Sequence, residues 1–202
     1  MQSSISSASG SSARPRLLAG LLAGLLCALP AAAADGQRPD PVLRELLRQA
    51  MNEPHGFEDR FDAQVWLTDM AQRLGDQVAD PQERIEILKT VHREAKRADL
   101  APELVLAVID VESAFDPYAV SDAGAQGLMQ VMPFWLNEIG RPDDRLVDIQ
   151  TNLRMGCTIL RHYLDMENGD LRRALARYHG SVGSGWYPER VLSRLSSRWF
   201  QL

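Results

Sequence analysis

From Pro41 onward, apolar side chains return every three or four positions, the spacing of one face of an α-helix, and no alternating run interrupts them to suggest a strand. Val42, Leu43, Leu46 and Leu47 make one short stripe. Trp66, Leu67, Met70 and Leu74 make another, with a break across Pro54 to Glu58 between the two. A third helix opens at Asp80-Pro81, where proline suits the first turn, and Ile85, Ile87, Leu88, Val91 and Ala95 form its inner side. Pro102 starts a fourth. Its sequence LVLAVIDVESAF, from Leu104 to Phe115, is apolar on nearly every side, the pattern of a helix buried at a domain centre. Asp116-Pro117 stops it, because the residue before proline is pushed away from helical angles. Further helices are predicted from Gly127 to Glu138, Ile149 to Met166, Leu171 to His179 and Glu189 to Trp199. The chain therefore reads as all-α.

The first 34 residues stand apart from this pattern. Arg14 and Arg16 precede the apolar run Leu17 to Leu29, and Pro30 leads into the small residues Ala31 to Ala34. This is the layout of an export signal, with cleavage expected after Ala34. As a helix the run would extend only about 20 Å, short of the ~30 Å hydrocarbon core of a bilayer, so no stable membrane span is expected. Cys27 raises lipoprotein processing as a rival, but Leu26 before it is bulkier than that processing usually accepts. Residues 35–79 then read as an N-terminal helical extension and residues 80–202 as the main domain.

Composition narrows the function. Of the 202 residues, 45% are hydrophobic and 24% charged, which fits a folded globular chain. Lys and Arg total 22 against 27 Asp and Glu, a formal charge of -5, and loss of the leader would make the balance more negative. That excludes the basic footprint of a nucleic-acid binder. Without Cys27 the sole thiol is Cys157, which cannot form an internal disulfide and reads as a small core residue before it reads as a nucleophile. His55, His92, His162 and His179 have no metal-ligand spacing, so neither metal nor cofactor is expected.

Glu112 is the residue that demands explanation. At about 100° per residue, Leu104, Val105, Val108 and Ile109 fall on its side of the helix, while Asp110 and Glu103 fall near the opposite side. A carboxyl group that ends an apolar stripe is poorly solvated when charged, so its pKa rises and it can hold a proton near neutral pH. Such an acid can protonate a leaving oxygen, as glycosidic cleavage requires. It can equally be a buried glutamate that caps a backbone or pairs with an arginine, and periodicity does not separate the two.

The residues that follow separate them. The segment ESAFDPYAVSDAGAQGLMQVMP, Glu112 to Pro133, resembles the signature of the soluble lytic transglycosylase family, lysozyme-like enzymes that cleave bacterial cell-wall glycan. The resemblance rests on Glu112-Ser113, Phe115, Pro117, Ala119, Ser121, Gly124-Ala125, Gly127-Leu128-Met129-Gln130 and Met132-Pro133. It extends more loosely over Glu83 to Leu195, with Asn152 to Gly156 in the family's next helix. It implies a lysozyme-like helical fold, Glu112 as the catalytic acid, and Ser121, Gln130 and Met132 in the substrate groove, with Met129 in the core. By chemistry alone, Ser121 and Gln130 could instead cap a helix or satisfy a surface amide.

The last element of the family is a tyrosine-asparagine turn followed by glycine. LARYHGSVG, Leu175 to Gly183, places Tyr178 at the tyrosine and His179 at the usual asparagine. The resemblance puts the Tyr178 hydroxyl close to the acid and His179 at a groove contact, which an imidazole would make pH-dependent. His179 could instead cap the helix before Gly180. Tyr118, Phe134 and Trp186 are candidates for stacking on sugar faces, and Arg172, Arg173 and Arg177 read as a solvated helix face.

Peptidoglycan is the implied partner, and the periplasm the implied location. The implied reaction uses one side chain twice. Glu112 protonates the oxygen leaving toward N-acetylglucosamine and then removes the proton of the muramic O6, with the substrate's acetamido group in place of a second carboxylate. Asp116 and Asp122, the nearest acids in sequence, are not expected to act. Two rivals are a hydrolytic muramidase and a glycan-binding protein that kept the groove but lost effective catalysis.

Overall fold

The computed structural model describes residues 60–200, with side chains from Gln64 onward. The export signal, the Val42 to Leu47 stripe and the break at 54–58 lie outside the described residues. Seven α-helices follow: α1 (Arg60–Arg73), α2 (Pro81–Arg97), α3 (Pro102–Glu112), α4 (Trp135–Ile139), α5 (Ile149–Met166), α6 (Leu171–His179) and α7 (Trp186–Arg194). A π-helical turn, Leu195–Trp199, continues α7. Among the described residues there is no strand, only isolated bridges that join Val120 to Gln126 and Gln126 to Val131.

Local chemistry caps three of the seven helix starts among the described residues. The carboxylates of Asp80, Asp148 and Asp170 each accept a first-turn N–H, from Gln82, Thr151 and Arg173 respectively, and so satisfy donors that have no partner within the helix. Gly180 ends α6 at φ 77°, a left-handed cap that glycine adopts without steric cost.

Helix α3 runs through the core. Leu104 to Ile109 are all buried, as the continuous apolar run predicted, and each large side chain contributes roughly 1.5–3 kcal/mol of burial. Helices α2, α7 and the π turn pack around it, and α5 and α6 pack on each other and, through α2 and α7, onto the same core. Helix α1, within the predicted N-terminal extension, shares this core. Trp66, Leu67, Met70 and Leu74 are buried, and the Trp66 indole donates to Glu103 at 2.7 Å. The Arg84 guanidinium donates to the carbonyls of Ala71, Val78 and Ala79, which ties the turn after α1 to α2. Cys157 is buried in α5, and burial pushes its thiol pKa up, so it is a core residue.

Three boundaries differ from expectation. The predicted helix from Gly127 to Glu138 is mostly loop, because Gly127 and Gln130 have φ of 75° and 49° and cannot continue a right-handed helix. Only Trp135–Ile139 is helical. Helix α3 ends at Glu112, before the Asp116-Pro117 stop, because Ala114 and Phe115 take left-handed angles of 49° and 69°. Helix α7 begins at Trp186, ahead of Glu189, and its last turn widens to π geometry.

Candidate active site

Glu112 is the last residue of α3, and the chain turns sharply after it. The Ser113 hydroxyl donates to Leu128 O at 2.8 Å, which ties the helix end to the loop 119–132. Two consecutive left-handed residues without glycine, Ala114 and Phe115, follow at once. Such backbone costs on the order of 1–3 kcal/mol per residue and persists only where its surroundings hold it. Here Phe115 is buried against Trp199 and Ser113 is anchored to the loop.

The loop is held from below by α5. Asn152 is fully buried, accepts from Met129 N at 2.8 Å, and donates to Gln126 O at 2.8 Å and Leu146 O at 2.7 Å. Gly127 lies so close that a Cβ would fall 2.4 Å from the Asn152 amide nitrogen and 2.4 Å from Leu146 O. A Cβ on Gly156 would meet the Met129 sulfur at 2.4 Å. Gly127 in the loop and Gly156 in α5 thus let the two elements approach closely, and Met129 is core, as expected.

The other wall comes from the α6–α7 corner. The Tyr187 hydroxyl donates to Glu112 Oε1 at 2.5 Å, a short bond of the kind a carboxylate accepts. Tyr187 is fully buried. The Tyr178 hydroxyl donates to Met129 O at 2.7 Å, and its ionisation responds to the charge of Glu112. His179 is exposed and stacks on Tyr187, with ring centroids 4.3 Å apart and planes at 23°. Trp186 meets His179 edge-on at 4.9 Å.

Burial pushes the Glu112 carboxyl up to about 7, against the opposing pull of the Tyr187 hydrogen bond. Burial likewise raises both tyrosines well above their ordinary range and lowers His179. The contrast with Asp110, two residues earlier, is instructive. Asp110 is buried on the other side of α3, where it accepts from the Trp199 indole at 2.9 Å and the Gln77 amide at 3.0 Å, with Arg194 at 3.9 Å. The role of paired structural acid belongs to Asp110. Among the described residues, Glu112 has one phenol as its hydrogen-bond donor and no cation paired with it.

The sequence-predicted site residues divide into two groups. Glu112, Tyr178 and His179 come together around Tyr187. Ser121 and Gln130 work within the loop. The Ser121 hydroxyl accepts from Ala125 N at 3.0 Å, and the Gln130 amide donates to Ala119 O at 3.1 Å and Gly127 O at 2.9 Å. Met132 is half-buried at the loop's end, and Tyr118, Phe134 and Trp186 are all more than half exposed. Of the arginines, Arg173 and Arg177 pair with Glu167, and Arg172 pairs with Glu189. Sequence reasoning did not single out Tyr187 and placed Asn152 only in the family's next helix. The signal for Tyr187 was a tyrosine in the first turn after the glycine-serine stretch Gly183 to Gly185, close behind the Tyr178 motif.

Residues 89–188, which contain Glu112, the loop, Asn152, Tyr178, His179 and Tyr187, match the family model described as Transglycosylase SLT domain. That segment is similar to the SLT family. The chain is similar to a protein named transglycosylase from Enterobacteria phage PRD1, at 32% identity over 115 residues, which cover 54% of this chain and 42% of the phage protein. It is also similar to the membrane-bound lytic murein transglycosylase C of Actinobacillus pleuropneumoniae, at 54% identity over 48 residues, 24% of this chain and 13% of that protein. The chain thus spans less than half the length of these relatives. Among solved structures, the lytic transglycosylase Slt of Pseudomonas aeruginosa aligns with 80% of this chain and 33% of its own, at 24% identity and a TM-score of 0.43.

Proposed function

We propose that this protein is a peptidoglycan lytic transglycosylase with Glu112 as its sole catalytic carboxyl group. The observation that carries the reading is an acid at the end of an apolar helix, brought to a pKa of about 7 by burial, with a phenol donor and no cation beside it. A group with that midpoint can both give and take a proton at neutral pH. The family match and the names of the relatives support the substrate class.

The reaction follows from that single group. Protonated Glu112 transfers its proton to the oxygen leaving toward N-acetylglucosamine. The carbonyl oxygen of the muramyl 2-acetamido group attacks the anomeric carbon as that bond breaks, taking the place of the second carboxylate that most glycosidases use. The muramic O6 then displaces the acetamido oxygen, its proton passes to the Glu112 carboxylate, and a 1,6-anhydro ring closes without water. Glu112 ends as it began, protonated. Asp116 and Asp122 are exposed, and Asp116 is occupied by Tyr118 N at 2.8 Å.

Around the acid, Tyr178, His179 and Met132 are the proposed sugar contacts. Ser121 and Gln130 shape the loop, and the Gln130 carbonyl oxygen is the part of that side chain able to accept from a ligand, because both its N–H groups donate inside the protein. The proposed location is the periplasmic side of the cell envelope, reached by the leader. Among the described residues no helix is long and apolar enough to cross a membrane.

Digestion of purified peptidoglycan with residues 35–202, followed by mass spectrometry, tests the reading. Anhydromuramyl ends are expected. Reducing ends in their place would make the protein a hydrolytic muramidase. Binding without cleavage would make it a glycan-binding protein, a reading that the histidine at the usual asparagine position keeps in view.

A further inference from the structure

We propose that His179 is a positioning residue for the acid. Its imidazole, laid on the face of Tyr187, holds the phenol against Glu112. The inference deepens the transglycosylase reading and depends on it only for its kinetic consequence.

Three observations carry it. Tyr187 bonds Glu112 Oε1 through its hydroxyl, so any tilt of the phenol moves the donor off the carboxyl. One face of that ring is covered by His179 in near-parallel stacking, while Trp186 meets both rings edge-on, at 4.9 Å from His179 and 5.8 Å from Tyr187. His179 itself is exposed whereas Tyr187 is fully buried, so the imidazole is the layer between the phenol and solvent. An asparagine at this position is shorter and has no aromatic face with which to cover a ring.

The charge environment favours a neutral cover. Burial lowers His179 from its ordinary value, so at pH 7 the imidazole carries little charge and shields the phenol without drawing a proton off Glu112. The titratable groups on the elements packed around the stack are Glu112 at the end of α3, Tyr178 and Arg177 on α6, and Glu189 and Arg190 on α7. Arg177 is engaged by Glu167, and Glu189 by Arg172. At lower pH a protonated imidazole over the phenol would be held by cation–π attraction and would favour the carboxylate form of Glu112.

The test reads Glu112 directly. The carboxyl carbon of Glu112 is titrated by ¹³C NMR in the unaltered protein, H179N, H179A and H179F, with the signal assigned by its loss in E112Q. This needs no substrate, so its outcome is independent of whether the protein is a transglycosylase. H179N and H179A should each bring the midpoint up by about one pH unit, as the phenol that favours the carboxylate swings away from it. H179F, which still covers the ring but cannot titrate, should keep it within a few tenths. The alkaline limb of kcat/KM should move with the NMR midpoint. Unmoved or lowered midpoints in H179N and H179A, or a rise in H179F equal to theirs, would overturn the proposal. A raised KM with an unmoved limb would make His179 a sugar contact alone.

Discussion

Replacement of Glu112 by glutamine should abolish turnover and yet stabilise the protein above neutral pH. The native carboxyl titrates near 7, whereas an unfolded glutamate titrates at its ordinary value of 4.5. Between those pH values the folded state holds a proton that the unfolded state has released. The contribution of Glu112 to stability is therefore fully present below pH 4.5 and is lost as pH rises through 7. At about 1.4 kcal/mol per pH unit, the displacement corresponds to roughly 3 kcal/mol lost by pH 8. Glutamine is nearly isosteric, never ionises, and its carbonyl can still accept from Tyr187, so the variant avoids most of that loss. For a domain of this size, 2–3 kcal/mol is on the order of 5–10 °C in Tm. Thermal unfolding of both proteins at pH 4 and pH 8 is the assay. Little difference is expected at pH 4, and a higher Tm for E112Q at pH 8. Equal Tm values at pH 8, or a difference of the same size at both pH values, would refute the claim that burial raises this carboxyl.

Other consequences follow from the same geometry. Tyr187→Phe removes the hydrogen bond that opposes the burial effect on Glu112, so the alkaline limb of the pH–activity profile should move above its unaltered position. The misaimed acid should also lower kcat, by about 10- to 100-fold for a general acid out of place. Asn152→Ala deletes three hydrogen bonds to buried or part-buried backbone groups, which should destabilise by about 3 kcal/mol or more in urea unfolding and reduce activity by loosening the loop. Gly127→Ala forces a Cβ into the Asn152 amide and Leu146 O at a positive φ. Its urea midpoint should fall at least as far as that of Asn152→Ala.

The helices were legible because their causes are local. The three aspartate caps, the apolar stripe of α2 and the all-round apolar run of α3 depend on neighbours within a turn or two, and such short-range preferences survive folding. The position of Glu112 at the end of that run was likewise readable, and with it the expectation of a raised pKa. The loop 119–132 was misread as partly helical from its apolar residues, although its motif was recognised. Its shape is imposed by Asn152 and the close approach at Gly127, and neither is visible in the local pattern.

The sequence by itself determined an all-α chain with one acid set against an apolar face. Tertiary structure decided which of two neighbouring acids stays unpaired. Asp110 meets Trp199, Gln77 and Arg194, brought from both ends of the described chain, whereas Glu112 meets only Tyr187, 75 positions away. The ionisation of a carboxyl group depends on what surrounds it in space, and those surroundings are assembled only when distant segments pack together.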